Sequence, residues 1–173
     1  MARRLRLPVL TLIALMASLS CGSRATERTD AVVDEKRCGD SPDVYVHVRS
    51  LEQLAEFSDC TVLVGRFQED SVTGLEDFAA LRNVTRIEGG LNVFRSPGFL
   101  TLHGLENLEV VQGNLFIHLN PNLTRIAALG KLRSVTGDLL IASNDRLPQA
   151  EVESVAASIS VGGTKTVMPS AAP

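Results

Sequence analysis

The chain contains 173 residues, of which 45% are hydrophobic and 21% charged, a composition typical of a globular protein and not of a disordered one. Lys and Arg total 17 against 20 Asp and Glu, the formal net charge is −3, and aromatic residues make up only 4%. This balance disfavours a nucleic-acid interface, which needs a basic surface and stacking aromatic rings. The chain has three cysteines, so at least one has a role other than pairing within the chain.

The first residues have the features of an export signal. Arg3, Arg4 and Arg6 form a positively charged start, and a mostly apolar run follows from Leu7 to Leu19. That run is too short to cross a bilayer as a helix, which takes about 20 apolar residues, but it suits the apolar segment of a signal peptide. We therefore predict a signal peptide over residues 1–20.

A cysteine follows directly after this segment. The residues Ser18, Leu19, Ser20, Cys21 and Gly22 resemble the bacterial lipoprotein box, although that pattern prefers Leu where Ser18 stands. The resemblance implies that Cys21 is lipidated and anchors the mature chain in the bacterial cell envelope. We expect the anchored chain to lie in the outer membrane and to face an oxidising compartment. Ordinary signal cleavage with an incidental Cys21 is the alternative.

The segment after Cys21 has little apolar content. The basic and acidic side chains of residues 22–37 balance to zero net charge. Such a composition favours a solvated chain. We predict that residues 21–37 form a lipid-anchored tether that ends where a domain begins, at Cys38.

The start of this domain contains two short predicted elements. Apolar and polar residues alternate over 44–48, which indicates a strand, although its alternation is one residue out of phase with the strands that follow. The register of this first strand therefore stays open. Residues 50–59, with Leu51, Leu54 and Phe57 three residues apart, predict a short N-terminal helix.

An internal repeat of 24 residues organises the rest of the chain. Glycine recurs at this spacing, with an apolar side chain two residues before it and another two residues after it, as around Gly113. Further apolar columns keep the same period. The repeating glycines are Gly65, Gly89, Gly113 and Gly137, and two of the apolar columns are Leu51, Leu75, Phe99, Leu123, Leu147 and Leu54, Phe78, Leu102, Ile126, Ala150.

The repeat predicts a mainly β solenoid of about five 24-residue coils over residues 38–163. The segment after each glycine alternates apolar and variable residues, as a strand with one buried face does. One coil cannot bury its apolar stripe alone, whereas stacked coils share a core. The repeat becomes irregular near the end. The next glycine is due at position 161, but Val161 stands there and is followed by Gly162 and Gly163. We expect residues 164–173 to form a flexible tail.

Cys38 and Cys60 lie 22 residues apart, which is nearly one repeat, so a solenoid brings them together on neighbouring coils. Export to an oxidising compartment allows a disulfide at that place. We predict the pair Cys38–Cys60, with two buried free thiols as the alternative. The three cysteines then divide into one lipid site, Cys21, and one disulfide.

The repeated unit of apolar residue, any residue, Gly, any residue, Leu, any residue, Ile resembles the receptor L domain of insulin-receptor and epidermal-growth-factor-receptor ectodomains. The resemblance covers about residues 38–163 and includes the early cysteine pair. It implies a right-handed, leucine-rich parallel β-helix and a non-catalytic domain whose broad sheet face takes ligand. Ordinary leucine-rich repeats place Asn more densely than this chain does, where Asn120 and Asn144 hold the recurrent position and Ser96 replaces it.

Side chains that face away from the core are the candidates for ligand contact. Phe94, Phe116 and Leu140 are expected to form an exposed apolar patch on an otherwise polar face, and such patches often mark interaction sites. Cover by a loop, or ordinary cross-strand pairing, is the alternative. Glu69 falls on the inward side, so we expect its strand to end early or to bulge. The candidate ligand-binding residues are Asn92, Phe94, Asn114, Phe116, His118 and Leu140.

Two other functions stay open at this point. Some parallel β-helices cleave polysaccharides, but the outward acidic residues Asp70 and Asp138 lie at opposite ends of the repeats and form no close pair for acid–base chemistry. His47, His103 and His118 lack metal-ligand spacing, so we assign no catalytic residue, metal or cofactor. Self-association in a structural role is the second alternative. The favoured function is a binding domain for a surface protein or a glycan.

Overall fold

The computed structural model describes residues 35–69 and 74–168. The predicted signal peptide, Cys21, most of the tether and Asp70 lie outside these residues. The strands are β1 Arg37–Cys38, β2 Tyr45–Val48, β3 Val62–Glu69, β4 Arg86–Phe94, β5 Val110–His118, β6 Ser134–Val135, β7 Leu139–Ala142, β8 Ser160–Val161 and β9 Lys165–Val167. The helices are α1 Leu51–Ala55 and α2 Gln149–Ser158, with short 3₁₀ turns at Ala79–Leu81 and Ala127–Lys131.

All nine strands of the described residues belong to one sheet, and every pairing in it is parallel. The strands β3, β4 and β5 form its centre. On one side of them β1 and β2 both pair with β3, and on the other side β6 and β7 both pair with β5, followed by β8 and β9. The sheet is open. The prediction of a mainly β fold with parallel strands is confirmed.

The 24-residue spacing of the sequence is the register of the central strands. Gly65 pairs with Gly89, and Gly89 with Gly113, so each residue lies beside the one 24 positions on. Gly89 has a φ of 128°, which L side chains rarely adopt, and a Cβ there would overlap the carbonyl oxygen of Gly65. The close approach of neighbouring strands therefore requires glycine at this position of the repeat.

The two elements predicted near the start of the domain are present. The strand β2 pairs Val46 with Phe67, so it lies 21 positions before its partner, and this shorter offset explains the apparent change of phase. The hydroxyl of Ser50 accepts a hydrogen bond from the backbone N–H of Gln53 at 3.1 Å and caps α1. The helix buries Leu54 and leaves Leu51 47% exposed, so the prediction of Leu51 as a core residue is wrong.

The core lies on the inward side of the sheet, between the strands and the segments that connect them. Inward residues of β4 and β5, such as Ile87, Leu115 and Ile117, are fully buried. The rings of Phe78 and Phe99 meet at a centroid distance of 4.7 Å within the same core. The apolar columns at the 24-residue period thus form one continuous apolar interior in the described residues.

Buried amides form a hydrogen-bonded ladder just after the strands end. Asn120 accepts from the backbone N–H of Ser96 at 3.0 Å, and Asn144 accepts from the backbone N–H of Asn120 at 3.1 Å. The side-chain nitrogens donate in turn to the carbonyl oxygens of Val93 and Ile117. The recurrent Asn position noted in the sequence therefore satisfies the backbone groups that turn away from the sheet.

The expectation that the strand around Glu69 ends early or bulges is wrong. The strand β3 keeps its register with β4 as far as the pair Glu69 and Val93. Glu69 is buried at 3% exposure and accepts a hydrogen bond from the hydroxyl of Ser96. Ser96 takes the place of Asn in the amide ladder, and its hydroxyl gives the buried carboxyl group of Glu69 a hydrogen-bond partner.

Cys38 and Cys60 form the predicted disulfide, with their Cα atoms 5.9 Å apart. Cys38 is the last residue of β1 and pairs with Leu63 of β3, while Cys60 is fully buried just before β3 begins. The disulfide thus joins the first strand of the sheet to the connection that follows α1. The prediction of this pair is confirmed.

The C-terminal end of the domain differs from the sequence expectation. The helix α2 buries Val152, Val155 and Ala156 and leaves Ala150 exposed, so Ala150 is not the core residue that the column predicted. A helical period of 3.6 residues has replaced the period of three that precedes it. Residues 165–167 form β9 beside β7, where a flexible tail was expected. No helix in the described part of the chain has the length and apolar character of a membrane span.

Candidate ligand-binding face

The register places the outward side chains of neighbouring strands side by side. Asn92 of β4 pairs with Phe116 of β5, which pairs with Leu140 of β7. One step further along the strands, Phe94 pairs with His118. We call the side of β3, β4, β5 and β7 that carries these residues the outer face.

Three of the predicted ligand-binding residues form a cluster of rings on the outer face. The rings of Phe94 and His118 stack with centroids 4.6 Å apart and an angle of 27° between their planes. Phe116 meets His118 edge-on at 6.4 Å. The guanidinium group of Arg95 lies over the Phe94 ring, 4.9 Å from its centroid, in a cation–π arrangement. These contacts hold the three rings in a fixed arrangement.

The apolar patch is less exposed than the sequence suggested. Phe94, Phe116 and Leu140 are each partly buried, and none of them belongs to the large exposed hydrophobic residues of the described chain. His118 packs against Phe94 and Phe116, and Arg95 lies over Phe94, which limits the contact of the two phenylalanine rings with water. Cross-strand packing, the alternative that the sequence left open, therefore accounts for part of this cluster.

A depression of about 240 Å³ lies on the outer face next to the ring cluster. Gly89, Gly90 and Gly113 leave its floor without side chains, and Asn92, Asn114 and Phe116 are among its lining residues. The structure thus brings three of the six predicted residues to the depression, while Phe94, His118 and Leu140 lie beside it. The opposite side is formed by Tyr45 and Arg66.

Tyr45 is a component of this site that the sequence reasoning missed. The residue is 57% exposed, and the centroid of its ring lies 5.5 Å from the guanidinium carbon of Arg66. Arg66 also forms an ion pair with Asp43 at 3.0 Å, and the Tyr45 ring stacks loosely on His47 at 6.0 Å. The available signal was the alternation of residues 44–48, but the 21-residue offset of β2 hid the column to which Tyr45 belongs.

The polar groups of the depression have different roles. The Oδ1 atom of Asn114 accepts a hydrogen bond from the backbone N–H of Asp138 at 2.9 Å, so part of this side chain supports the fold. The Oδ1 atom of Asn92 is buried and has no hydrogen-bond partner among the described residues. A buried acceptor of this kind costs free energy until a donor reaches it, and Asn92 is also one of the residues that line the depression.

The charged groups near the depression are neutralised by partners. Glu88 lies on β4, two positions before Gly90. It accepts two hydrogen bonds from the guanidinium group of Arg37 and a third from Arg86 at 3.2 Å. The hydrogen bond from Arg37 holds the pKa of Glu88 below its ordinary value. The face therefore offers paired charges, aromatic rings and amides.

The histidines lie in different environments. Burial, followed by the positive charge of Arg95, lowers the pKa of His118. His103 lies outside the outer face, and its hydrogen bond to Glu106, at 2.7 Å, raises its pKa. Within residues 35–69 and 74–168, no group of three or more His, Cys, Asp or Glu side chains is placed to hold a metal ion.

The carboxylate considered for catalysis has a structural partner. Asp138 accepts a hydrogen bond from the backbone N–H of Thr164 at 2.7 Å. Thr164 comes directly before β9, so this bond holds the start of β9 beside β7. Asp70, its predicted counterpart, lies outside the described residues. The geometry around Asp138 is that of a turn support, and it does not single out an acid–base pair.

Comparison with known families identifies the domain. The sequence model of the Receptor L domain family matches residues 59–155, which is more than half of the chain. No curated protein matches the chain. The family consists of non-catalytic, ligand-binding extracellular domains, and the disulfide between Cys38 and Cys60 agrees with an exported protein. The chain belongs to the receptor L domain family.

Proposed function

We propose that this chain is a lipoprotein of the bacterial cell envelope that presents its outer face as a non-catalytic binding surface for a glycan or a surface protein. The observation that carries the proposal is the convergence of ring cluster and depression on one face. His118 contacts both Phe94 and Phe116, and Asn92 and Asn114 line the depression together with Phe116. Partly exposed rings next to an unpartnered amide are typical of binding sites.

A solenoid of about five 24-residue coils is the scaffold that we propose for this face. The support is the constant register of β3, β4 and β5 and the continuous apolar core behind them. The predicted tether, with a lipid on Cys21, would hold the domain at the outer membrane. Its support is the sequence of residues 1–37 alone.

The binding proposal is tested with the full chain, purified in detergent and exposed to labelled envelope glycans and surface proteins of the producing cell. We expect the wild type to capture a ligand and Phe116→Ser to lose most of that capture. Leu100→Ser is the matched control, because Leu100 is 43% exposed and lies in the connection between β4 and β5, away from the outer face. Equal loss in both variants would contradict a role for the outer face.

The anchoring proposal is tested separately by growing the producing cells with labelled palmitate. We expect label in the wild-type chain and none in Cys21→Ser, with the protein moving from the membrane fraction to the soluble one. Label that persists in Cys21→Ser, or a wild-type chain without label, would contradict lipidation at this cysteine.

Self-association is the second candidate function, and the open sheet supports it. In the described residues β9 pairs with β7 on one side only, so its other edge offers backbone groups to a further strand. Light scattering on the full chain at micromolar concentration, in a detergent whose micelle mass is known, separates the two functions. A monomer would contradict self-association and leave the binding function as the single candidate.

A further inference from the structure

We propose that the depression between Tyr45 and Phe116 binds one or two rings of a neutral saccharide. The inference rests on the proposed function, because it names the ligand class of the same face. It depends on four properties of the depression: the placement of its rings, the balance of its charges, the state of Asn92, and its size.

The rings stand on opposite sides of a bare floor. Tyr45 belongs to β2 and Phe116 to β5, which lie three strand spacings apart, or about 14 Å. Between them Gly90 presents no side chain. A sugar ring has one face of C–H groups, which packs on an aromatic ring, and a rim of hydroxyl groups, which bind amides. The depression offers both kinds of contact on either side of an open floor.

The charge of the depression favours a neutral ligand. Arg66 is the one charged side chain among the described residues that line it. Its guanidinium group is already paired with Asp43 at 3.0 Å and lies over the ring of Tyr45. A carboxylate or phosphate ligand would have to compete with Asp43 for this partner, whereas a neutral hydroxyl group would not.

Asn92 supplies a hydrogen-bond acceptor that the described protein residues leave unused. Its Oδ1 atom is buried and without a partner among them, although the residue lines the depression. Because Oδ1 is buried, a ligand reaches it when the amide turns about its terminal torsion, which is broad in asparagine. A sugar hydroxyl that donates to Oδ1 would remove the penalty of an unpaired buried acceptor.

The dimensions of the site favour a small ligand over a protein. The depression measures about 240 Å³, below the range of about 300–1,000 Å³ that is usual for drug-sized ligands. A stable protein interface covers about 800 Å² on each partner around an apolar centre. The apolar residues beside the depression, Phe94 and Leu140, are partly covered and extend the apolar surface only a little.

Isothermal titration of the full chain in detergent tests the inference with two panels of probes. The neutral panel contains cello-, malto- and chito-oligosaccharides of two to four sugars, and the acidic panel contains oligogalacturonates and heparin fragments. We expect at least one neutral oligosaccharide to bind, and none of the acidic ones to bind more tightly. Binding of acidic probes alone, or of no probe at millimolar concentration, would overturn the inference.

Variants at Tyr45 and Asn92 locate the binding site. We expect Tyr45→Ala to weaken binding of the neutral oligosaccharide about tenfold and Tyr45→Phe to keep it within about twofold, since the ring supplies the stacking surface. We expect Asn92→Ala to weaken binding about tenfold, which is the effect of one lost hydrogen bond in this setting. Tyr45 is 57% exposed, so its variants are expected to fold. Unchanged binding in both Tyr45→Ala and Asn92→Ala would place the saccharide elsewhere and overturn the inference.

The outcome also separates this inference from the proposed function. If the wild type captures an envelope protein through Phe116 but binds no neutral oligosaccharide, the saccharide inference fails and the binding function stands. If a neutral oligosaccharide binds the wild type, and Tyr45→Ala, Asn92→Ala and Phe116→Ser each weaken that binding while Phe116→Ser still captures envelope ligands normally, the inference stands and the proposed role of the ring cluster in envelope capture fails.

Discussion

The two sides of the strand β5 carry neighbouring residues with opposite roles. Leu115 and Ile117 point inward and are fully buried in the apolar core. Phe116 and His118, one position along in each case, point outward and are only partly buried. A strand with a period of two separates its contributions to stability from its contributions to the surface. The inward residues therefore determine the fold, and substitutions of the outward ones can alter what the face binds with less effect on stability.

The largest expected effect is on the inward side. Leu115→Ala removes a fully buried side chain and should lower the free energy of unfolding by about 2–5 kcal/mol. Urea unfolding followed by circular dichroism measures the difference. Leu100→Ala is the control, because this exposed leucine should change stability by less than about 0.5 kcal/mol. Similar values for the two variants would contradict the division of the strand into an inner and an outer side.

The next effect concerns the edge of the sheet. Replacing both cysteines, Cys38→Ser with Cys60→Ser, should lower the free energy of unfolding by about 3 kcal/mol, because the closed loop of 22 residues restricts the unfolded chain. Reduction of the wild-type protein should have the same effect, and the double variant should no longer respond to reductant. A variant as stable as the oxidised wild type would show that β1 and α1 hold this edge without the disulfide.

A smaller stability effect is expected on the outward side. Phe116→Ser should cost about 1 kcal/mol, since the ring meets His118 edge-on but remains partly exposed. Capture of ligand should fall by much more than this loss of stability accounts for. Thermal unfolding and ligand capture are measured on the same preparation. A loss of stability as large as that of Leu115→Ala would show that Phe116 is a core residue.

The smallest effect is a dependence on pH. Burial and Arg95 lower the pKa of His118 in the folded state, so between that pKa and the unfolded value of about 6.5 the unfolded chain binds more protons. Stability contributed by the neutral imidazole should therefore be lost as the pH falls from 7 through this interval. His118→Gln should flatten this part of the unfolding curve against pH.

His103 provides the control with the opposite sign. Its hydrogen bond to Glu106 raises its folded pKa, so its contribution is present below about 6.5 and lost as the pH rises through the folded pKa. His103→Gln should therefore reduce stability at acid pH. A loss of stability on acidification that persists in His118→Gln would assign it to another group.

The centre of the fold was predictable because its spacing is constant. Gly65, Gly89 and Gly113 follow at 24 residues, and the sheet uses the same offset. The ends were less predictable because the offset changes there. The strand β2 lies 21 positions before β3, and Leu139 pairs with Lys165, 26 positions on, which is why Gly163 arrives late in the sequence.

The residues of the candidate site were predictable where their strands keep the constant 24-residue offset. Asn92, Asn114 and Phe116 come from strands with the constant offset, and all three line the depression. Tyr45 comes from the strand with the shorter offset, so no column of the repeat pointed to it. Glu69 was interpreted as a break in its strand because hydropathy alone does not reveal the hydroxyl of Ser96 that it meets 27 positions later.

The glycine position of the repeat has a consequence for how such a domain changes in length. Gly65 and Gly89 approach so closely that no side chain fits between the strands, and the hydrogen-bonded amides of Asn120 and Asn144 follow the same 24-residue period at the strand ends. Duplication of the 24-residue unit from Gly89 to Gln112 would keep the strand register and the glycine contacts, and would add a second serine like Ser96 to the ladder. Insertions of any other length have to be absorbed in the connections or at the two edges, where offsets of 21 and 26 are already tolerated. A chain with this repeat can therefore lengthen by duplication at its centre, while smaller changes in length fall at its edges.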